Sequence, residues 1–392
     1  MNQAEISDTP TLQEDAPHPK KSRAIRWILY GVIALLVAAG GIGAYVWYRS
    51  TVTQSQKPTI KVGVLMAFTG GSSSMGYGTM KGIQLAKKQL GADRIELIQA
   101  DSQCDPDRAR EAGKKLIDQG VVAIIGDGCS SASVAVLPFA NNSKTVMISP
   151  SASTSTLSIP NDYFFRVIPS DNYQSEFMAQ TIRDKGVQNV AVFYTNEPYG
   201  TNMNSVFREK FETLGGKVVA TAYAEPDVID LHEQMKKLKD TDPQAVFIAP
   251  NSVVTATAAI RIAREVGIEA PLFGADIMYD RTITSNAPLT SEGLTVTTFS
   301  TGSSVFKQML FNEYKVVEQL YAAPQAYDAF EAIYRAVMKG ATTGEAIKDI
   351  LPSIEFDGMS AHITFDHNGE LPGKTYKYDL LQVQKGAFVE VQ

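Results

Sequence analysis

Residues 60–101 read IKVGVLMAFTGGSSSMGYGTMKGIQLAKKQLGADRIELIQAD. Ile60–Met66 is a strand pattern, Gly78–Leu90 a helical one and Ile95–Ala100 a strand pattern again. The alternation continues with a helix over Asp107–Gln119, a strand over Val122–Gly126, a helix over Ser131–Ala140 and a strand over Thr145–Ile148. Strands separated by helices call for a parallel sheet with right-handed crossovers.

A second series begins near Ser170. Asn172–Lys185, Tyr199–Leu214, Leu231–Leu238 and Ser252–Val266 read as helices, alternating with strands at Val190–Tyr194, Val218–Ala222, Ala245–Ile248 and Pro271–Phe273. Two series of similar length imply an α/β chain of two Rossmann-like lobes, each with its own core. From Gly358 the pattern turns strand-like, broken by His367-Asn368-Gly369, where Asn-Gly signals a hairpin. Ligands of open α/β sheets sit beyond the carboxyl ends of the strands, so function is expected in those loops.

The N-terminal part is different. Trp27–Tyr48 (WILYGVIALLVAAGGIGAYVWY) carries no charge and has about the ~20 residues that span a bilayer. Lys20, Lys21, Arg23 and Arg26 precede it, placing residues 1–26 in the cytoplasm as a disordered tail and the rest outside the cell membrane. Residues 49–58 read as a linker. The competing reading is a cleaved signal peptide with a small-residue site at Ala38-Ala39-Gly40. The apolar run continues past that site through Ile42, Ala44, Val46 and Trp47, which favours a single-pass anchor.

Hydrophobic residues make up 44% of the 392 and charged residues 20%, a globular balance. With a net charge of −6 the chain lacks the basic footprint of a nucleic-acid binder. His18, His232, His362 and His367 stand at no metal-ligand spacing with Cys104 or Cys129, so no metal is expected. There is no G-x-S-x-G, H-E-x-x-H or Walker A segment and no G-x-G-x-x-G fingerprint; neither an enzyme nor a cofactor is expected. Asp101/Asp105/Asp107 and Asp366/Asn368/Glu370 lack the complete calcium loop and read as surface acidic loops.

Through the loops after the strands, the chain resembles the leucine/isoleucine/valine-binding family, the type I periplasmic binding proteins of ABC importers. The landmarks are KVGVLMAFTGG (61–71), DSQCDPDRA (101–109), IIGDGCSSAS (124–133), SPSAS (149–153), FFRVIPSD (164–171), YGTN (199–202) and LFGAD (272–276). The resemblance implies the type I periplasmic-binding fold, with a hinge where the chain crosses between lobes near RVIPSD, Thr297 and Gly358. Lobe 1 is then 59–168 with 298–357, and lobe 2 is 169–297 with 358–392. It also implies a Cys104–Cys129 disulfide bracing the loop of Ser130 and Ser131; the alternative is two separate buried thiols.

The same resemblance implies that Ser130 and Ser153 hold a ligand carboxylate by their hydroxyls and Ser151 by its backbone. The family often has Thr at the Ser153 position. Ser130 at a helix start suits an anion physically, although Ser there also serves as a plain cap. Asp276, where family members carry Glu or Asp, would pair with an α-ammonium group; otherwise it caps the short helix that follows. Met75, where the family often has an aromatic residue, and Tyr77, Tyr199 and Tyr327 are candidate pocket walls, with packing around the hinge as the alternative. Asn251 or Ser252 would add a hydrogen bond.

The expectation is a membrane-tethered extracytoplasmic binding protein that delivers a branched-chain or similar aliphatic amino acid to an ABC permease. The alternatives are a ligand-sensing ectodomain of the same fold, or a binder of an amide or urea-like solute.

Overall fold

The computed structural model describes residues 23–53, 59–315 and 320–391, with only the backbone given for 23–26 and 46–53. Most of the expected tail, 1–22, and half of the expected linker, 54–58, lie outside the described residues. Helix α1 (Arg23–Thr53) runs past both ends of the 27–48 span and through the first half of the expected linker. Within it, Trp27–Tyr45 is long and apolar enough to cross a membrane. Residues from Thr59 onward form a separate compact unit.

Among its described residues that unit contains two large sheets and a two-stranded ribbon. The first is built by β1 (Ile60–Met66), β2 (Ile95–Asp101), β3 (Ala123–Gly126), β4 (Val146–Ser149) and β5 (Phe164–Arg166), in the order β2-β1-β3-β4-β5 and parallel throughout. Helices α2 (Ser73–Gln89), α3 (Pro106–Asp118) and α4 (Ser130–Ser143) make its crossovers. β1, β3 and β4 are buried almost end to end, as expected of strands covered on both faces. Asp105 starts α3 by accepting from the Asp107 and Arg108 amides, with Pro106 in the first turn.

The second sheet begins after α5 (Asp171–Asp184). It comprises β6 (Asn189–Thr195), β7 (Lys217–Ala224), β8 (Ala245–Ala249), β9 (Leu272–Gly274) and β10 (Thr295–Thr298), with α6 (Pro198–Thr213), α7 (His232–Lys239), α8 (Val253–Glu265) and α9 (Arg281–Asn286) between them. The chain then returns to the first sheet through α10 (Ser304–Tyr314), α11 (Ala323–Met338) and α12 (Gly344–Ile350), and α11 packs on α2. A two-stranded ribbon, β11 (Phe356–Asp357) with β12 (His362–Ile363), precedes β13 (Asp379–Gln384) and β14 (Ala387–Glu390). The last two strands join the second sheet antiparallel, giving the order β14-β13-β10-β9-β8-β6-β7, so this sheet is mixed at one edge.

Helix α2 begins at Ser73, five residues before the expected Gly78. Gly76 lies in the stretch read as a loop, yet it is needed for close packing, as is Gly82 further along the helix. A Cβ on Gly76 would lie 2.2 Å from the Ala67 carbonyl oxygen, and one on Gly82 only 2.0 Å from that of Ala323. Gly82→Ala is therefore expected to force α2 off α11 and destabilise the protein by about 1–3 kcal/mol despite the gain in helix propensity. Urea unfolding of the two proteins checks this.

The segments joining the sheets are tied down by buried side chains. Arg166, at the end of β5, donates from Nε to Glu370 at 2.7 Å and from Nη1 to the Ala152 and Thr154 carbonyls at 3.2 and 3.0 Å. On α11, Gln325 donates to the Ser300 carbonyl at 2.7 Å, and Asp328 accepts from the Met359 and Ser360 amides at 2.6 and 2.8 Å. Glu370 thus departs from the expected surface loop: it is 5% exposed and paired with Arg166. His367-Asn368-Gly369 also departs from the expected hairpin. It is a turn, closed by the Gly369 amide on Asp366, and its Gly369 carbonyl accepts from the Arg166 amide at 2.9 Å. Docking on β5 rather than pairing with a second strand explains the difference.

Candidate functional site

A cavity lies where the carboxyl ends of the two sheets face each other. From the first sheet come Met75, Cys104, Gly128, Cys129, Ser130, Ser131 and Ser151; from the second come Glu197, Tyr199, Asn251, Asp276 and Ile277; Tyr321, just before α11, completes the lining.

On the first-sheet side, α4 opens at the cavity. Cys129 holds the N-cap position with no side-chain cap, so the Ser130 hydroxyl is not spent on capping. It accepts from the Thr154 amide at 3.2 Å and keeps its own proton to donate. The amides of a first helical turn lack intrahelical partners and carry the positive end of the helix dipole. Cys104 and Cys129 are bridged, with Cα atoms 5.5 Å apart, which ties the loop after β2 to the start of α4. Below them the Asp127 carboxylate accepts from the Cys129 amide at 2.7 Å; burial pushes its pKa up to about 7.

The Ser151 hydroxyl donates to the Gly128 carbonyl at 3.0 Å, and its amide donates to Ser149 Oγ at 3.2 Å. The backbone group expected to reach a ligand therefore already has a partner. Met75 is buried in the wall, and a Cβ on Gly128 would lie 2.3 Å from its sulfur; the glycine makes room for the methionine.

On the other side, Asp276 is buried and accepts from the Tyr199 hydroxyl at 2.6 Å and from the Tyr321 hydroxyl. Burial raises its pKa. Ala275 occupies the N-cap position of the short turn that follows, so the Asp276 carboxylate is directed at the two tyrosines instead. Glu197 heads α6, accepting from the Tyr199 and Gly200 amides at 2.9 and 2.7 Å, and burial raises its pKa too. Among the described residues, the cavity lining contains no Lys, Arg or His.

Among the expected site residues, Ser130, Ser151, Asp276, Tyr199 and Met75 come together around this cavity. Three others lie elsewhere. Ser153 is fully buried and outside the lining, its carbonyl accepting from the Asp171 amide at 2.8 Å. Tyr77 is 51% exposed on α2, with Lys81 Nζ 5.4 Å from its ring centroid. Tyr327 faces the core of α11, edge-on to Phe306. Neither tyrosine is a pocket wall, because helix phase turns one to solvent and the other inward. Glu197 and Tyr321 were missed. Glu197-Pro198 was readable as a helix start, whereas nothing local to Tyr321 signals that the returning chain brings it to Asp276. Asn251, expected only as an additional donor, lines the cavity, and its Oδ1 is buried without a hydrogen-bond partner among the described residues.

The periplasmic binding protein family profile matches residues 59–387. The leucine-, isoleucine-, valine-, threonine- and alanine-binding protein of Pseudomonas aeruginosa is 25% identical over 350 residues, which cover 84% of this chain and 91% of that protein. Among solved structures, a leucine-binding protein, LivK, from Thermotoga maritima superposes with a TM-score of 0.79 at 24% identity, covering 85% of this chain and 98% of that one. A solute-binding protein from R. palustris in complex with benzoate superposes with a TM-score of 0.77 at 17% identity, covering 85% and 95%.

Proposed function

The chain belongs to the type I periplasmic binding proteins, the non-enzymatic, extracytoplasmic solute-binding components of ABC transporters, and from that premise we propose that its solute is a small aliphatic amino acid. The observation that carries this is the division of the cavity: hydroxyls and a helix N-terminus on one side, and carboxylates with no cation on the other. A carboxylate suits the first and an ammonium group the second, so closure of lobe 1 (59–168, 298–357) on lobe 2 (169–297, 358–392) requires both ends of a zwitterion. The relative that binds leucine, isoleucine, valine, threonine and alanine supports the same class. Benzoate, bound in one solved structure of the same fold, offers no cation to Asp276 and Glu197.

A second reading, an amide or urea-like solute, draws support from one feature: both Asp276 oxygens already accept tyrosine hydroxyls. We also propose that α1 is retained as an anchor, which keeps the binding unit near its permease. N-terminal sequencing of the mature protein that begins after residue 38 would argue against it.

A thermal-shift screen against amino acids, amides, urea and aromatic acids tests the ligand class. A ligand at about 100 times its Kd adds about 2.7 kcal/mol of stability. A response to leucine, isoleucine or valine is expected. A response confined to amides or to benzoate would overturn the amino-acid reading and leave the transport class intact.

A further inference from the structure

Two residues beside the cavity touch the facing sheet's loops without lining it. Gly71 and Ser72 lie between β1 and α2, and neither belongs to the lining. Ser72 holds the N-cap position of α2, yet its hydroxyl makes no cap. It donates instead to the Asn251 carbonyl, in the loop after β8, at 3.5 Å. Ser72 and Ser252 are each 1% exposed, a burial that loop residues reach only where something packs on them.

Gly71 is where this contact is tightest. A Cβ placed on it would lie 2.9 Å from Asp227 Oδ1, 3.5 Å from Val254 Cγ2 and 3.6 Å from Ser252 Cβ. All three are second-sheet neighbours: Asp227 follows β7, and Ser252 and Val254 stand where α8 opens after β8. Asp227 is exposed and its carboxylate can swing aside, so a single added carbon is tolerated. A β-branched side chain adds two carbons beyond Cβ, and these run into Val254 and Ser252. Ser252 is held in place as the cap of α8, accepting from the Thr255 amide at 3.3 Å.

The position of this contact gives it meaning. β1 lies three strands from β5, where the chain leaves the first sheet, a separation of roughly 14 Å. Rigid rotation about the connecting segments moves groups in proportion to their distance from them, so the Gly71 contact forms only when the cleft is shut. By contrast, the Thr154 hydroxyl donates to the Pro198 carbonyl at 3.2 Å beside the first connection, where the Ser153 carbonyl accepts from the Asp171 amide at 2.8 Å. That contact senses little of the opening.

We infer that Gly71 is the closing contact of the cleft, a positioning residue that touches no ligand. Its missing side chain lets the loop of Asn251 and Ser252 seat on the start of α2 and shut the cavity over the solute. That the solute is an amino acid rests on the reading above; the contact does not. A side chain at Gly71 props the lobes apart, the closed fraction falls, and the apparent Kd rises in proportion.

The spacing of Gly71 and Ser252 supplies the test. A Cβ–Cβ distance of 3.6 Å matches the ~3.8 Å typical of a disulfide, so Gly71→Cys with Ser252→Cys should cross-link when the cleft shuts. The two native cysteines are already bonded to each other. The full chain carrying both substitutions is oxidised in detergent with copper–phenanthroline, with and without L-leucine, and peptide mapping follows the new bond. It is expected to form, and to form faster with leucine. No such bond under either condition, with the native disulfide intact, would overturn the proposal, as would a rate that bound leucine leaves unaltered. If wild type binds no leucine in calorimetry, the amino-acid reading fails and the ligand-free cross-link alone decides the contact.

Single variants give the second arm. Gly71→Val is expected to weaken leucine binding about tenfold or more, chiefly through faster dissociation, with the ligand-free melting temperature unchanged. Gly71→Ala should stay near wild type. Wild-type affinity in Gly71→Val would overturn the positioning role. So would a loss of affinity matched by a drop in ligand-free melting temperature, the mark of a glycine needed only for folding.

Discussion

Asp276→Ala is expected to abolish the stabilisation conferred by the ligand while the protein remains folded. The carboxylate is the acceptor for Tyr199 and Tyr321 and the anion proposed to meet the ammonium group. Removing one partner of a buried, hydrogen-bonded charge pair costs about 2–5 kcal/mol, or roughly 30- to 4,000-fold in Kd. The cost includes the two tyrosine hydroxyls left without their acceptor. Asp276→Asn keeps the shape and a carbonyl acceptor, so its loss should be smaller than that of Ala. Thermal shift and calorimetry with the responding amino acid, alongside circular dichroism of each variant, separate binding from folding. Undiminished affinity in Asp276→Ala would move the ammonium site elsewhere, with Glu197 the remaining lining carboxylate.

The largest stability effect is expected at the Arg166–Glu370 pair. Arg166 is 1% exposed and Glu370 5%, and the pair joins β5 to the turn that precedes the last two strands. Glu370→Ala leaves a guanidinium buried without its counter-ion, a change that costs about 3–5 kcal/mol. Arg166→Met with Glu370→Leu removes both charges and should recover part of that loss, since apolar replacement of a whole buried pair is tolerated. Recovery should be incomplete, because Arg166 also donates to the Ala152 and Thr154 carbonyls, which flank Ser153. Urea unfolding of the single and double variants measures the difference. A double variant no more stable than Glu370→Ala would mean that those carbonyl contacts, rather than the charge pair, dominate.

Much of the architecture was legible in the chain. The alternation of β and helical periods from Ile60 to Phe273 survives as β1–β4 and β6–β9 with their helices, while the short β5 carried no such pattern. The loops after the strands were legible as well, and Ser130, Ser151, Tyr199 and Asp276 meet there. Discrepancies cluster where the residue type had two uses. Gly76 of α2 fell in an expected loop and serves close packing, and Asn368-Gly369 makes a docked turn in place of a hairpin.

Local pattern reports what a segment does with its own neighbours: strand or helix, exposed flank or apolar span, and the loop in which a polar side chain falls. It therefore determined the α/β class, the apolar N-terminal helix and the loops in which the site falls, while the family resemblance supplied Ser130, Ser151 and Asp276 within them. It could not report pairings made across long separations. Tyr321 reaches Asp276 only because α11 returns to pack on α2. Glu370 is buried only because a turn 204 residues further along the chain docks on Arg166. Each of these depends on which desolvated groups the folded chain brings together, and burial and Coulomb energy belong to that assembly rather than to any stretch of residues.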